Sequence, residues 1–553
     1  MFGRELITNM YDTKFSEEGL FYSFLGLAVI LGTFLRIYLL PDQIILDDEM
    51  HALHALANHS YLFICTHFFP QNISTPLALI YKATGDMIGL NEVTMRLPTL
   101  LTGIAIIIVL PLFLKRILNT TSALICAYLL AISPILINYS RIARPYSIVV
   151  FLVMVSIFSF YRWLLENKTR WALIFVISSV LSLYFHFLCA PAIFAPVAFG
   201  LLKSIRKSNR TQGNPQTLYV FIMGCTILIG ISILVSAQFW SNSGVLLGKT
   251  GGGHIRLAMI KQGLILMLGI GNNVLLFLVI VGILAGIVIV LKRNQEFALF
   301  LIFVIAFQAL SIMIICPSKV QYGHIFARYN LWSVPLFLVF FSVSLNSLKL
   351  QTTTWLKAPI FLLTNAIILA VLFFMGPIPK IFYTPNNFLN SNIFTDIEIA
   401  PEFSRYGLNR GKISSFYMDL GKSDQPFSII ETPWYFMSPY NCLPIYQRFH
   451  RKNVIIGFVS PLVRRYTKSE LNLDDRQRYS FKHFVDVTKK ENVLGRGVRY
   501  IILHKNLQNE PYLHLNKTPI DVIPVILKLN ADYGDPVFED RDIMVFKVGD
   551  EAI

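Results

Sequence analysis

The chain has 553 residues, of which 54% are hydrophobic and only 14% charged, and its mean hydropathy is +0.57. Soluble proteins carry about a quarter charged residues, so this composition excludes an ordinary soluble enzyme and indicates a polytopic membrane protein. The net charge of +16 would suggest a nucleic acid partner in a soluble protein. Here the basic residues occupy short loops between apolar runs, as in cytoplasmic loops. We therefore expect membrane lipid, and no nucleic acid, among the partners.

Apolar runs of about 20 residues predict an α-helical integral membrane protein with about eleven transmembrane helices and a cytoplasmic N-terminus. An amphipathic stretch near 255–270 is expected to lie along the membrane surface. The predicted spans are 20–40, 96–114, 120–138, 146–161, 171–185, 187–202, 217–236, 273–291, 297–315, 330–347 and 358–376.

The character of the chain changes near residue 377, where polar residues and short β-branched runs appear. We predict a transmembrane catalytic module over residues 1–376, with an outer loop over 41–95, and a soluble extracytoplasmic α/β domain over 377–553. Within that domain the pattern predicts a helix and strands. The predicted strands are 498–504, 536–538 and 542–548, and the predicted helix is 520–533.

Three consecutive acids, Asp47, Asp48 and Glu49, follow the first apolar run. They precede a helical pattern, so one explanation is that they cap a helix and favour its dipole. The other explanation is a carboxylate that acts as a general base at the membrane face.

Basic residues from separate parts of the chain are predicted on the same outer side as these acids. Any single arginine could instead pair with a helix-end carbonyl, but the set suits a reaction with an anionic leaving group, since cations stabilise a departing phosphate. The cations of this set are Arg141, Arg144, Lys249, Arg256, Lys261, Lys319 and Arg328, with His324 and Tyr329 beside the last.

Histidines follow the acids at His51 and His54 and could share a helix face. A metal site of the zinc type normally has a more complete ligand set, so we expect no metal ligands and no cofactor. A divalent metal remains the alternative.

Four segments resemble, in order, the motifs of GT-C fold glycosyltransferases. The match is closest to bacterial relatives of the protein O-mannosyltransferases and the aminoarabinose transferases. Residues 48–53 (DEMHAL) resemble the family's Asp-Glu element, and residues 95–101 (MRLPTLL) its entry to the second span. Residues 131–147 (AISPILINYSRIARPYS) resemble its longest motif, and residues 327–331 (ARYNL) with Pro335 its late Arg-Tyr element.

The resemblance implies a GT-C fold and transfer of one sugar from a polyprenyl-phosphate donor to an acceptor on the outer side. By position, Asp48 is the expected general base, and Glu49 orients the acceptor or supports Asp48. Arg328 and Tyr329 are expected to contact the donor phosphate. Arg144 is expected to structure the floor of the site or touch the phosphate. We also predict that four further residues bind substrate: Asp47, Tyr146, Arg256 and Lys261.

The chain departs from the family after the acid stretch, where residues 72–77 (NISTPL) stand in place of a His-Pro-Pro element. The acceptor, a glycan, lipid or protein, is therefore left open. The main alternative is a transporter or flippase of lipid-linked saccharide. Transporters commonly show repeated halves and ionisable groups near mid-membrane, and neither is evident here. A second alternative is an inactive relative that acts as a binding subunit. A cell (inner) membrane location is expected.

Overall fold

The computed structural model describes residues 17–45, 49, 56, 59–69, 74–208, 215–248, 251–317, 320–348, 357–376, 413–434, 443–458, 480–505 and 522–549. Several residues singled out in the sequence lie outside these ranges: Asp47, Asp48, His51, His54, Lys249 and Lys319.

The described part of residues 17–376 is helical. In chain order its helices are α1 (Glu17–Ile37), α2 (Tyr61–Thr66), α3 (Thr75–Met87), α4 (Leu97–Ile117), α5 (Thr120–Ile132), α6 (Pro134–Ser140), α7 (Tyr146–Glu166), α8 (Thr169–Phe185), α9 (Ala190–Ser208), α10 (Pro215–Asn242), α11 (Gly244–Leu247), α12 (Leu257–Leu268), α13 (Asn273–Arg293), α14 (Gln295–Ile315), α15 (Gly323–Tyr329), α16 (Ser333–Ser347) and α17 (Lys357–Met375). A 3-10 turn, Leu40–Asp42, follows α1.

Each of the eleven predicted spans coincides with a helix or a bent pair of helices. Among the described residues, seven helices are long and apolar enough to cross a membrane, and up to nine spans result if each bent pair counts as one. The chain is thus a multi-pass membrane protein, while the number eleven stays a prediction. Helix α12 coincides with the predicted amphipathic stretch.

Two bends were not predicted from sequence. The third predicted span, 120–138, bends by 60° between α5 and α6, and an 80° bend between α15 and α16 lies at the start of the tenth, 330–347. Pro134 is the first residue of α6 and has no N–H to donate to the preceding turn, so the helix is interrupted there. Arg328, which precedes the tenth predicted span, lies on α15.

Two of the basic helix ends pair with acids at the starts of other helices. Lys115 at the end of α4 pairs with Glu18 at the start of α1, at 3.3 Å. Lys203 of α9 pairs with Glu296 at the start of α14. The assignment of the basic loops to one side of the membrane stays a prediction.

The C-terminal part forms a six-stranded sheet with the order β3-β2-β1-β4-β6-β5. The first four strands pair in parallel, and β6 pairs antiparallel with both β4 and β5. The elements of this part are α18 (Ser415–Leu420), β1 (Ser428–Trp434), α19 (Leu443–His450), β2 (Asn453–Phe458), β3 (Phe484–Asp486), α20 (Lys490–Val493), β4 (Val498–His504), α21 (Ile523–Tyr533), β5 (Phe538–Glu539) and β6 (Ile543–Lys547).

These elements agree with the predicted soluble α/β character. The predicted strand 498–504 is β4, and the predicted helix and closing strands correspond to α21, β5 and β6. The boundary at residue 377 stays a prediction, since residues 377–412 lie outside the described ranges.

The sheet packs directly on the segments that leave the membrane bundle. Ile429 and Ile502 of the sheet share one buried cluster with Ile44 and Leu90. The N–H of Ser480 donates to the carbonyl of Leu90 at 2.8 Å. The sheet therefore covers the end of the bundle at which residues 40–45 emerge.

Candidate active site

The centre of the site is a buried ion pair between Glu49 and Arg96. Arg96 precedes α4 and donates from Nε and Nη2 to the two carboxylate oxygens of Glu49, at 2.9 and 2.8 Å. Neither side chain is exposed. Such a two-point contact between guanidinium and carboxylate fixes orientation as well as distance.

Arg96 also binds the backbone just before the acid stretch. Its Nη1 donates to the carbonyl of Gln43 at 2.6 Å, and its Nη2 to that of Ile44 at 2.8 Å. One side chain thus holds the chain on both sides of residues 46–48. Arg96 therefore links Gln43 and Ile44 to Glu49, the member of the acid stretch that the structure describes.

Glu49 connects this segment to the motif at residues 131–147. Its Oε1 accepts the N–H of Ala143 at 2.7 Å. Both carboxylate oxygens of Glu49 therefore have partners inside the protein. This geometry favours the role of supporting Asp48 over direct proton transfer by Glu49.

Below this pair, Arg141 is buried and bound to backbone carbonyls. Its Nη1 donates to the carbonyls of Arg36 and Tyr38, each at 2.8 Å, and its Nε to Oε1 of Gln43 at 3.2 Å. Arg141 is fully buried. Arg141 therefore pairs with backbone carbonyls, which is the alternative that the sequence left open for any single arginine. Its role at the site is structural support.

A second set of side chains surrounds Arg328. Its Nε donates to the hydroxyl of Tyr139 at 3.3 Å, and its guanidinium lies 5.3 Å from the ring centroid of Tyr146. Tyr146 contacts the rings of Tyr139 and His186, with centroids 5.1 and 5.3 Å away. These aromatic side chains orient the guanidinium of Arg328. Arg328 is half-buried, so its charge is still partly accessible.

Tyr81 was not identified from the sequence, yet it lies among the charged residues of the site. Burial raises the pKa of its hydroxyl, and the charge of Glu49 raises it further, while Arg144 and Arg96 oppose the shift. Among the described residues its hydroxyl has no hydrogen-bond partner. No local pattern marks Tyr81, since a tyrosine on an amphipathic helix is ordinarily a packing residue.

The remaining predicted residues are less closely joined to the site. Arg144 is half-buried and acts electrostatically on Tyr81. Tyr329 follows Arg328, and its carbonyl accepts from Gln308 at 3.0 Å.

Arg256 and Lys261 are exposed, and their side chains form no hydrogen bond or ion pair with other residues of the described ranges. Their helix α12 packs on α15, where a Cβ added at Gly263 would lie 2.4 Å from the Phe326 ring. The helix is thus adjacent to Arg328, while a role for the two side chains stays a prediction.

No group of three or more His, Cys, Asp or Glu residues in the described ranges is placed to hold a metal ion. His51 and His54 lie outside those ranges, so the expectation that the protein needs no metal stays a prediction.

A family model described as dolichyl-phosphate-mannose-protein mannosyltransferase matches residues 75–234. This stretch runs from α3 into α10 and contains Arg96, Arg144 and Tyr146. The match confirms the resemblance to the membrane glycosyltransferases over that part of the chain. No curated protein matches the sequence.

Solved structures are similar to this chain at low identity. ArnT from Cupriavidus metallidurans in the apo state shows 11% identity and a TM-score of 0.46, over 96% of this chain and 98% of that one. The same protein bound to undecaprenyl phosphate shows 10% identity and a TM-score of 0.48, over 97% and 99%. The archaeal oligosaccharyltransferase AglB from Archaeoglobus fulgidus shows 13% identity and a TM-score of 0.43, over 90% and 70%.

Proposed function

We propose that this multi-pass membrane protein is a GT-C type glycosyltransferase. It moves a single sugar from a polyprenyl-phosphate donor to an acceptor hydroxyl at the extracytoplasmic face of the membrane. The observation that supports this most strongly is the convergence of Arg96, Glu49 and Ala143 around the acid stretch, within and beside the segment that matches the family model.

In the proposed reaction, the carboxylate of Asp48 accepts the proton of the acceptor hydroxyl. The acceptor oxygen attacks the anomeric carbon as the bond from that carbon to the phosphate oxygen breaks. A single in-line displacement of this kind inverts the anomeric configuration. The phosphodiester donor carries one negative charge, and the polyprenyl phosphate that leaves carries up to two.

The increase in negative charge explains why a partly accessible guanidinium suits this site. Arg328, held by Tyr139 and Tyr146, interacts more strongly with the departing phosphate than with the donor. Arg144 and Tyr329 are the further residues proposed to face the phosphate. Protein cations supply the required charge in this scheme, so we propose no metal cofactor.

Glu49 and Arg96 act through position in this scheme. Their ion pair and the backbone contacts of Arg96 fix Gln43, Ile44 and Glu49, and in the proposed scheme this orients the base toward the acceptor. Precise placement of a reacting group accounts for a large share of enzymatic rate enhancement.

The test is donor consumption by the purified chain in lipid. A panel of polyprenyl-phosphate sugars is offered with a membrane extract as acceptor, and released polyprenyl phosphate is measured. The Asp48→Asn variant is compared with Asp86→Asn, an acid of the same loop whose carboxylate pairs with Lys82 at 3.6 Å. We expect wild type and Asp86→Asn to release polyprenyl phosphate and Asp48→Asn to release none.

Other outcomes separate the alternatives. Equal release by all three proteins would assign the base to another residue, Asp47 first. If lipid-linked sugar changed leaflet without donor consumption, the protein would be a transporter. Loss of activity in a chelator, restored by a divalent ion, would contradict the metal-free scheme.

A further inference from the structure

A cavity of about 310 Å³ lies between the sheet and the chain segment that leaves α1, apart from the Glu49–Arg96 pair. Asp42 lines it from the side of the bundle, and Lys482, Arg496, Ser428 and Asn453 line it from the side of the sheet. Asp42 ends the apolar stretch Glu18–Asp42, so the cavity is located where the chain emerges from the membrane.

Parallel pairing explains why positive charge collects at this edge of the sheet. Strands β1 to β4 all begin at one edge, and cations precede or begin three of them. Lys452 comes before β2, Lys482 before β3, and Arg496 and Arg499 flank the start of β4.

Most of these cations already have acceptors in the protein. Lys482 pairs with Asp42 at 2.8 Å, and Lys452 donates to the carbonyl of Gln425 at 2.9 Å. Arg499 donates to the side-chain oxygen of Gln425 at 2.8 Å. These contacts leave Arg496 as the cation whose capacity to donate is least used.

Arg496 is exposed and donates from Nη1 to the carbonyl of Lys482. Within the described ranges it has no other hydrogen-bond acceptor. A guanidinium offers five N–H groups in a planar fork that matches phosphate oxygens. The cavity therefore presents unused donors of the type that recognises phosphate.

Acids as well as bases surround the cavity, and the charge of Glu92 acts on Arg496. Asp42 is the acid among the lining residues, opposite Lys482 and Arg496. Burial, with the charge of Lys482, lowers the pKa of His483 to about 4, so its ring is neutral at pH 7. Glu92 is buried behind it, where its carboxylate accepts the N–H of His483 at 3.0 Å.

We propose that this cavity binds the phosphate-bearing headgroup of an anionic membrane lipid. The position of Asp42, in the turn that follows α1 at the end of the apolar stretch, favours a lipid over a soluble anion. The outer turns of α1 also expose Phe34 and Ile37, which offer an apolar surface beside the cavity for acyl chains. The bound headgroup connects Arg496 to the membrane surface and so holds the sheet over the active site.

The test uses the full chain in nanodiscs of phosphatidylcholine that contain increasing fractions of phosphatidylglycerol. Native mass spectrometry measures how much phosphatidylglycerol stays bound. The variant Lys482→Gln/Arg496→Gln is compared with Lys528→Gln, which removes a cation that pairs with Asp532 on α21, away from the cavity. A cation near an acidic surface contributes about fivefold to binding, so the double variant should retain the lipid about 25-fold more weakly.

We expect wild type and Lys528→Gln to bind alike, and Arg496→Gln alone to lose about fivefold. The single variant keeps the Lys482–Asp42 pair, so it tests the site even if the double variant folds poorly. Equal retention by wild type and Arg496→Gln would overturn the proposal.

A second experiment distinguishes the phosphate of a lipid headgroup from free inorganic phosphate. Hydrogen exchange of peptides within residues 480–505 is followed in phosphatidylcholine nanodiscs with added inorganic phosphate, and in discs with phosphatidylglycerol. Protection by phosphatidylglycerol alone supports the lipid site. Equal protection by inorganic phosphate would overturn the assignment to lipid. Because neither experiment measures sugar transfer, failure here would be distinct from failure of the transferase proposal.

Discussion

Replacing Glu49 by Gln removes the charge from a buried ion pair while keeping the shape of the side chain. Arg96 donates to both oxygens of Glu49 at 2.9 and 2.8 Å, and neither side chain is exposed. The amide offers one acceptor oxygen in place of two. The guanidinium charge of Arg96 is then left without compensation in the interior, where transfer from water is costly.

The magnitude follows from this burial. Removing one partner of a buried ion pair costs about 3–5 kcal/mol. Since about 1.4 kcal/mol is a factor of ten, the unfolding constant should rise by about two to three and a half orders of magnitude. We therefore expect a large fall in the free energy of unfolding of Glu49→Gln.

The assay is denaturant unfolding of the purified chain in detergent, followed by tryptophan fluorescence. The control is Lys82→Gln, which removes one partner of the Lys82–Asp86 pair, where the two side chains are 10% and 27% exposed. Partly exposed pairs contribute less than about 1 kcal/mol. The double variant Glu49→Leu/Arg96→Met removes the unpaired charge but leaves the carbonyls of Gln43 and Ile44 and the N–H of Ala143 without these partners, so it should recover only part of the lost stability.

Two results would refute this reasoning. If Glu49→Gln cost no more than Lys82→Gln, the buried pair would not have the energetic role described here. If Glu49→Gln unfolded like wild type but lost sugar transfer, Glu49 would act on the substrate directly and not by positioning the acid segment.

Four further predictions concern the site, the helix packing and the pH dependence. Arg328→Gln should lower kcat/KM for the donor about 100-fold, measured by polyprenyl phosphate release, because a preorganised charge for the leaving phosphate is lost. Tyr81→Phe removes a buried hydroxyl that has no hydrogen-bond partner in the described ranges, so the free energy of unfolding should stay unchanged. Sugar transfer should decrease, because this hydroxyl lies among the charged residues of the site. Gly286→Ala should destabilise the bundle by about 1–3 kcal/mol in denaturant unfolding, because the added Cβ would lie 1.9 Å from the Phe340 carbonyl oxygen. The free energy of unfolding of wild type should fall as the pH drops from 6.5 toward about 4, and His483→Gln should show a smaller fall over that range.

The sign of the last prediction follows from the lowered pKa of His483. The folded state disfavours the protonated ring, whereas the unfolded state accepts the proton near pH 6.5. The stability contributed by the neutral ring is therefore present above that pH and lost progressively below it, by at most about 1.4 kcal/mol per pH unit. An unchanged pH profile in His483→Gln would contradict the assignment.

Each remaining prediction has its own control or contradicting result. Gly26→Ala is the control for Gly286→Ala and should not change the free energy of unfolding, since a Cβ at Gly26 meets nothing within 4 Å. Equal destabilisation by the two substitutions would argue against the packing explanation. Wild-type rates in Arg328→Gln would exclude a role in phosphate stabilisation. A destabilised Tyr81→Phe would mean that the hydroxyl has a structural partner.

Local sequence pattern determined the elements that depend on neighbouring residues. Apolar runs of membrane length predicted each helix from α1 to α17 that coincides with a span, because lipid forces every backbone polar group to be satisfied within its own segment. The short run of β-branched and apolar residues over 498–504 likewise predicted β4 with its correct bounds. The bend at Pro134 was not predicted, because a proline inside an apolar run need not interrupt it.

Motif resemblance identified residues at the site but not how they are connected. Arg328, Tyr146 and Glu49 were predicted as site residues, and the structure gives each of them polar or aromatic contacts. Arg96 was noticed only as part of a motif, and Tyr81 was not noticed at all. Arg141 was expected among the outer cations, yet it is buried and binds carbonyls.

The reason is the distance along the chain between partners. Glu49 meets Arg96 across 47 residues and Ala143 across 94, and His483 meets Glu92 across 391. Hydrophobic periodicity reports which face of an element is buried, and it contains no information about which distant residue fills that space. The composition and pattern of the chain therefore determined a membrane bundle with a C-terminal α/β part, whereas tertiary packing alone decided which charges neutralise each other.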